Sequence, residues 1–194
     1  MKKAINLAKA GAAVLVVFLL TGIISVSCQK ETTDPGVVKN RLKTECIENE
    51  FTLWAGQNIE AGYLLVWNDE VNLYIEYYIT DPAQALEELH LWAGKDIDDC
   101  PQTTPGSPKV GQFPYYASAT SSMPEGSELL TDPEYYAISI PLAQLAAECG
   151  ETVYIAAHGA AAVETLWSAG ERFVPEPGPW STYSIYTVCC GEAK

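Results

Sequence analysis

The chain has 194 residues, with 25 acidic against 11 basic side chains and a formal net charge of −14. That length suits one domain with a sizeable core. So acidic a chain repels nucleic acid and anionic lipid surfaces, which excludes partners held through a basic patch.

The chain opens MKKAINLAKAGAAVLVVFLLTGIISVSC. Lys2, Lys3 and Lys9 form a positive leader, and Ala12 to Ile24 form an apolar stretch that is short for a bilayer-spanning helix. With no stop-transfer pattern after it, residues 1–27 are expected to be an export signal; the competing reading is an uncleaved membrane anchor. Three lysines and no acidic residue lie in that signal, so the 167 residues from Cys28 onward carry 8 basic and 25 acidic groups, a net of −17. Residues 28–43, which include KETTDPGVVKNRLK, are polar, with a Pro-Gly break and little periodicity, and are expected to be a flexible tether.

The segment Ser25-Val26-Ser27-Cys28 resembles the lipobox of bacterial lipoproteins, in which a small residue precedes the cysteine. The usual pattern has Leu, Val or Ile three residues before that cysteine, where this chain has Ser25. The next residues, Gln29-Lys30-Glu31, resemble the export tag of surface-exposed lipoproteins of Bacteroidota. These resemblances imply that Cys28 is acylated and that the protein is held in the bacterial outer membrane, on its surface if the tag operates. Two or more acyl chains hold a protein firmly, whereas one anchors only marginally.

From about residue 44 to residue 194 strand signals recur. The clearest is Val71 to Thr80, where Val71, Leu73, Ile75, Tyr77 and Ile79 alternate with Asn72, Tyr74, Glu76, Tyr78 and Thr80. Period two with one apolar face predicts a half-buried strand. Tyr63 to Trp67 before it, across a turn-like Asn68-Asp69-Glu70, predicts a hairpin. Further strands are predicted at 50–55, 85–92, 113–118, 135–140, 153–160, 165–168 and 182–188, with one helical turn opening at Pro141. Segments 96–112 and 120–133 read as long turn-rich loops. Many short strands between Gly/Pro loops predict an all-β, antiparallel β-sandwich of jelly-roll or immunoglobulin-like kind. The runs Thr52 to Gln57, Asn68-Asp69, Asn72-Leu73-Tyr74, Leu89-His90-Leu91, Gly106 to Lys109, Gly111 to Tyr115 and Ala156-Ala157-His158 resemble an uncharacterised β-rich domain of secreted and lipid-anchored Bacteroidota proteins. That resemblance implies a fold class and an envelope setting, and brings no catalytic residue.

Five cysteines follow Cys28, and an exported protein meets an oxidising compartment, so disulfides are expected. Cys46 opens the first strand and Cys189-Cys190 close the last. Because first and last strands are often neighbours, Cys46 is expected to pair with one of them, Cys190 for preference, and Cys100 with Cys149. Adjacent residues point to opposite faces, so only one of Cys189 and Cys190 can face Cys46.

The chain has neither GxSxG, HExxH nor a Gly-rich phosphate loop, and 25 acidic residues make carboxylate pairs uninformative. Asp96, Asp98 and Asp99 place three carboxylates in one loop, a pattern that suits Ca2+ or, equally, a solvated loop tip. Glu88, His90 and His158 lie on strand faces from which a divalent ion such as zinc could be held if the strands are adjacent. Five tryptophans and eleven tyrosines are many for such a domain. Tyr74 and Tyr78, on one strand face roughly 13 Å apart, could stack successive sugar rings, the competing reading being cross-strand packing. The expected function is therefore a non-enzymatic, lipid-anchored envelope protein that binds a glycan or another envelope protein. The alternatives are a glycan-binding module of a polysaccharide-uptake system and a hydrolase with an acidic site.

Overall fold

The computed structural model describes residues 48–117, 124–131 and 135–191. The signal, Cys28, the tether and Cys46 lie outside the described residues. The strands are β1 (Asn49–Ala55), β2 (Ile59–Asn68), β3 (Asn72–Ile79), β4 (Leu86–Gly94), β5 (Tyr115–Ala117), β6 (Glu128–Thr131), β7 (Tyr135–Pro141), β8 (Thr152–Ala161), β9 (Thr165–Ser168), β10 (Glu171–Arg172) and β11 (Thr182–Thr187). One short helix, α1 (Leu142–Leu145), follows Pro141 as the sequence predicts.

The alternation in β3 works as expected. Leu73, Ile75 and Tyr77 are buried, while Asn72, Tyr74, Glu76 and Tyr78 lie half-buried on the other face. The same alternation in β4 and β8 turns Leu89, Leu91, Ala93, Val153, Ile155 and Ala157 to the core and Glu88, His90, Trp92, Tyr154, Ala156 and His158 outward.

All pairings are antiparallel, and the all-β antiparallel class is what the structure has. The strands run β6-β7-β3-β2-β1-β9-β8-β4-β5 in one hydrogen-bonded sheet. Strand β8 shares its second edge between β9, at His158 to Ala160, and β11, at Thr152 to Ile155. Core residues from β1, β2, β3, β4, β5, β7, β8, β9 and β11 form a single cluster, so the sheet rolls around one interior into a nearly closed barrel. A bulge assists the roll: β1 skips Ala61 of β2 between Leu53 and Trp54, which sharpens the local twist. The freed Ala61 carbonyl accepts the amides of Thr80 and Asp81 at 2.9 and 3.1 Å and so ends β3.

Asn68, read from sequence as a turn residue, ties opposite walls together. It is fully buried, its Oδ1 accepting the Tyr186 hydroxyl at 2.6 Å and the Cys189 amide at 2.8 Å. Its Nδ2 donates to the carbonyls of Asp69 and Cys189. These bonds join the end of β2 to the end of β11, which are not sheet neighbours.

The cysteine pairing differs from expectation. Cys149 bonds Cys190, with Cα atoms 4.8 Å apart, and Cys189 is also disulfide-bonded. Cys190 is thus not the partner of Cys46, and Cys100 is not the partner of Cys149. The first and last strands are not sheet neighbours, since β11 lies against β8 and β10 and β1 between β2 and β9; the other expected pairing, Cys46 with Cys189, lies outside the described residues. Gly150 donates to the Val188 carbonyl at 2.8 Å, which brings the loop before β8 to the end of β11. Cys100 is a buried free thiol. It sits in a second apolar cluster with Trp92, Phe113, Ala156 and Trp167, where the 95–113 loop folds over the outside of the barrel wall. Burial there pushes its thiol pKa up to about 12.

Candidate functional site

The barrel interior is filled by side chains that are almost wholly inaccessible, so chemistry toward a ligand belongs to the outer wall and the two ends. Two aromatic surfaces cover that wall.

The first lies on β2, β3 and β7. Register sets Tyr63 opposite Tyr78, and Tyr78 opposite Tyr135, across three strands. Tyr63 stacks on Tyr78 at 4.7 Å with the rings 12° apart, and Tyr135 lies against Tyr78 at 5.1 Å. One strand step away, Trp67 stacks on Tyr74 at 4.1 Å. Between the two stacks Glu76 accepts Trp67 Nε1 and the Tyr78 hydroxyl, both at 2.8 Å. Partial burial, reinforced by the Glu76 carboxylate, holds the Tyr78 hydroxyl well above its ordinary pKa. Tyr74 donates to Asp69 Oδ2 at 3.0 Å, while Asp69 Oδ1 takes the amides of Val71 and Asn72. Partial burial pushes the Asp69 pKa up, but those two amides and Tyr74 outweigh it and leave the carboxyl below its usual range. Tyr74 and Tyr78 therefore share a half-buried face, as expected, but each ring already has an aromatic partner. Tyr78 has one on both faces and presents only an edge. Cross-strand packing accounts for this surface.

The second surface is a row that the sequence did not reveal. Trp54 of β1 stands opposite Trp167 of β9, Trp167 opposite His158 of β8, His158 opposite His90 of β4, and His90 opposite Tyr116 of β5. Five strands thus contribute one ring each to a single line. Ring centroids are 4.8 Å apart for Trp167 and His158, 5.5 Å for the two histidines, and 4.7 Å for His90 and Tyr116. Glu88 accepts the Tyr116 hydroxyl at 3.1 Å and lies 3.5 Å from His90 Nε2. His158 is buried and its Nδ1 has no hydrogen-bond partner. Burial, with His90 as a second cause, lowers the His158 pKa to about 4. The strands bearing the histidines are adjacent, the condition a shared metal would need. Even so, among the described residues no three His, Cys, Asp or Glu side chains converge to hold an ion, His90, His158 and Glu88 included.

The same holds for Asp96, Asp98 and Asp99. They form a short 3-10 turn in which Asp96 Oδ1 accepts the Asp98 amide at 3.0 Å, so one of the three carboxylates caps the loop itself.

Two of the concave features among the described residues lie at the ends of these surfaces. A cleft of about 840 Å³ at one end of the barrel is lined by Asp69, Glu70, Val71, Leu142, Glu148 and the Cys149–Cys190 bridge, among others. A smaller groove at the Trp54 end of the aromatic row lies between the β1–β2 turn and the segment leading to β11. Comparison with family models, with curated proteins and with solved structures returns no match.

Proposed function

We propose that this chain is a lipid-anchored protein of the bacterial outer membrane, held through an acylated Cys28, whose β domain is a non-enzymatic binding module. The observation that carries the binding role is the placement of its aromatic side chains. The interior is filled by aliphatic residues and buried tyrosines, yet Trp54 and Trp180 are kept half-exposed on the outside. Aromatic rings held rigid on a wall offer large contact area at low entropic cost, as binding surfaces require. The two opposed walls of the rolled sheet take the part of the sandwich layers that the strand pattern suggests. An envelope setting suits a glycan or another envelope protein as partner. A glycan is the reading that the groove beside Trp54 favours.

The anchoring half has a direct test. In a bacterial host that processes lipoproteins, the wild-type chain should sediment with outer membranes and label with a palmitate analogue. Cys28→Ala should remove the label and move the protein to the soluble fraction. A Cys28→Ala chain that still sediments would sink the proposal.

A further inference from the structure

At the end of the aromatic row lies an open groove of about 230 Å³ whose lining includes Trp54, Gln57, Gly170, Arg172, Trp180 and Thr182. Four observations separate it from the tyrosine wall. First, among the described residues neither Trp54 nor Trp180 has a stacked ring or an acceptor for its indole N–H, although Trp180 rests with part of its surface on the second apolar cluster. Trp67, by contrast, is both stacked and hydrogen-bonded. Second, Gly170 gives the groove a floor of bare backbone. A Cβ there would lie 2.0 Å from the Tyr183 carbonyl oxygen, so only glycine lets this segment lie flush on β11. Third, Gln57 is the second central residue of the β1–β2 hairpin turn, with φ 53° at Gly56, φ 76° at Gln57 and the Asn58 amide on the Ala55 carbonyl at 3.3 Å, a type I′ geometry that holds its side chain exposed at the groove. Fourth, the polar lining is supplied but not used up. Among the described residues the Arg172 guanidinium pairs with the mostly exposed Glu176, at 3.0 Å, and Thr182 donates to the Ser168 carbonyl at 2.6 Å, which leaves its oxygen free to accept.

Unstacked indole faces beside an amide, a guanidinium and a hydroxyl match a ligand with one apolar C–H face and a rim of hydroxyl groups. Glu176 offsets the charge of Arg172, and the rest of the molecule is strongly acidic, so an anionic ligand is disfavoured. We propose that this groove is a saccharide subsite: a neutral pyranose ring stacks on the indoles of Trp54 and Trp180, with its hydroxyls on Gln57, Arg172 and Thr182. The inference rests on the reading of the domain as a binding module, and it names the ligand class.

The test is affinity electrophoresis of the full chain, purified in detergent, through gels holding laminarin, mannan, xylan or arabinan, with polygalacturonate as the anionic control. At least one neutral polysaccharide should retard the wild type. Trp54→Ala and Trp180→Ala should each weaken that retardation about tenfold or more, as loss of a stacking anchor does. Trp180 also packs on the second apolar cluster, so Gln57→Ala, whose side chain supports no packing, guards against misfolding. It should weaken binding several-fold at an unchanged melting temperature. Tyr78→Ala should leave the affinity unaltered. No retardation of the wild type by any neutral polysaccharide, retardation by polygalacturonate alone, or full affinity in both Trp54→Ala and Gln57→Ala would overturn the proposal. Cys28→Ala should bind saccharide like the wild type, so anchoring and sugar binding fail or stand separately.

Discussion

Acidification should weaken this domain through His158, and the size of the effect follows from its position. The imidazole is buried between Trp167, 4.8 Å away, and His90, 5.5 Å away, with Nδ1 unpartnered. Protonation would put an unpaired charge beside a second imidazole. The folded-state pKa is accordingly lowered from 6.5 to about 4. A depressed histidine means that the unfolded chain binds the extra proton first, so the stability is complete above pH 6.5 and is lost as pH falls toward 4. Integrating the linkage relation between those two values gives a loss of roughly 1 kcal/mol by pH 5.5 and roughly 2 to 3 kcal/mol by pH 4.5. The perturbation is His158→Phe, which keeps a ring between Trp167 and His90 but cannot titrate. Urea unfolding of both proteins at pH 7.5, 6.5, 5.5 and 4.5 measures the difference. Carboxylates affect both proteins alike, so the comparison isolates His158. The variant should lose less stability than wild type by about the amounts above. Parallel pH profiles would refute the reasoning, since they would mean that the imidazole is hydrated or paired in solution.

Cys149→Ser should lower the unfolding free energy in oxidising buffer by about 4 kcal/mol, from chain entropy, because the bridge to Cys190 spans 41 residues; an unchanged urea midpoint would count against that bridge. Gly62→Ala places a Cβ 1.9 Å from the Tyr78 carbonyl oxygen at a φ of 155°, inside the β2–β3 ladder. It should cost roughly 3 kcal/mol or more, read as a lowered melting temperature, and wild-type stability would show that the hairpin can shift. Tyr78→Ala removes a ring stacked on both faces and a hydroxyl bonded to Glu76. Its thermal-denaturation loss should be about 2 kcal/mol, while Tyr78→Phe should lose about 1 kcal/mol; equal losses would place the whole effect in the hydroxyl.

The hairpin strands were legible because each has one buried face and one more solvated face, which writes a period of two into the second half of β2 and into β3. Strand β6 was not. Glu128 to Thr131 is four residues long, lies at the sheet edge beyond β7, and sits in a stretch rich in turn residues. The two-residue β10 carries too little pattern to detect. Segment 96–112 read as a loop and contains only short turns, yet it shields a second apolar cluster. Nothing local says that Ile97, Cys100, Val110 and Phe113 meet Trp92 and Trp167. For the candidate site, Tyr74 and Tyr78 were correctly placed on one face, but whether their rings are free depends on Tyr63, Trp67 and Tyr135 of neighbouring strands. Trp54 and Trp180 stood only among a surplus of aromatics. They are 126 positions apart in the chain, and strand order alone brings them to one groove.

By itself the sequence determined the local and the covalent: the all-β class, the hairpin at 63–80, the helical turn after Pro141, the acidic surface, and a leader and cysteine that carry the anchoring proposal. Those follow from nearest-neighbour chemistry and from the period of a half-buried strand. Only the tertiary structure decided that the strands roll into one nearly closed sheet, that Cys149 rather than Cys46 meets Cys190, that two histidines fall into line with two tryptophans, and that Asn68 clamps β2 to β11. Each of these depends on which strands lie side by side, and strand order is set by how the whole apolar surface is buried at once, which no short stretch of chain records.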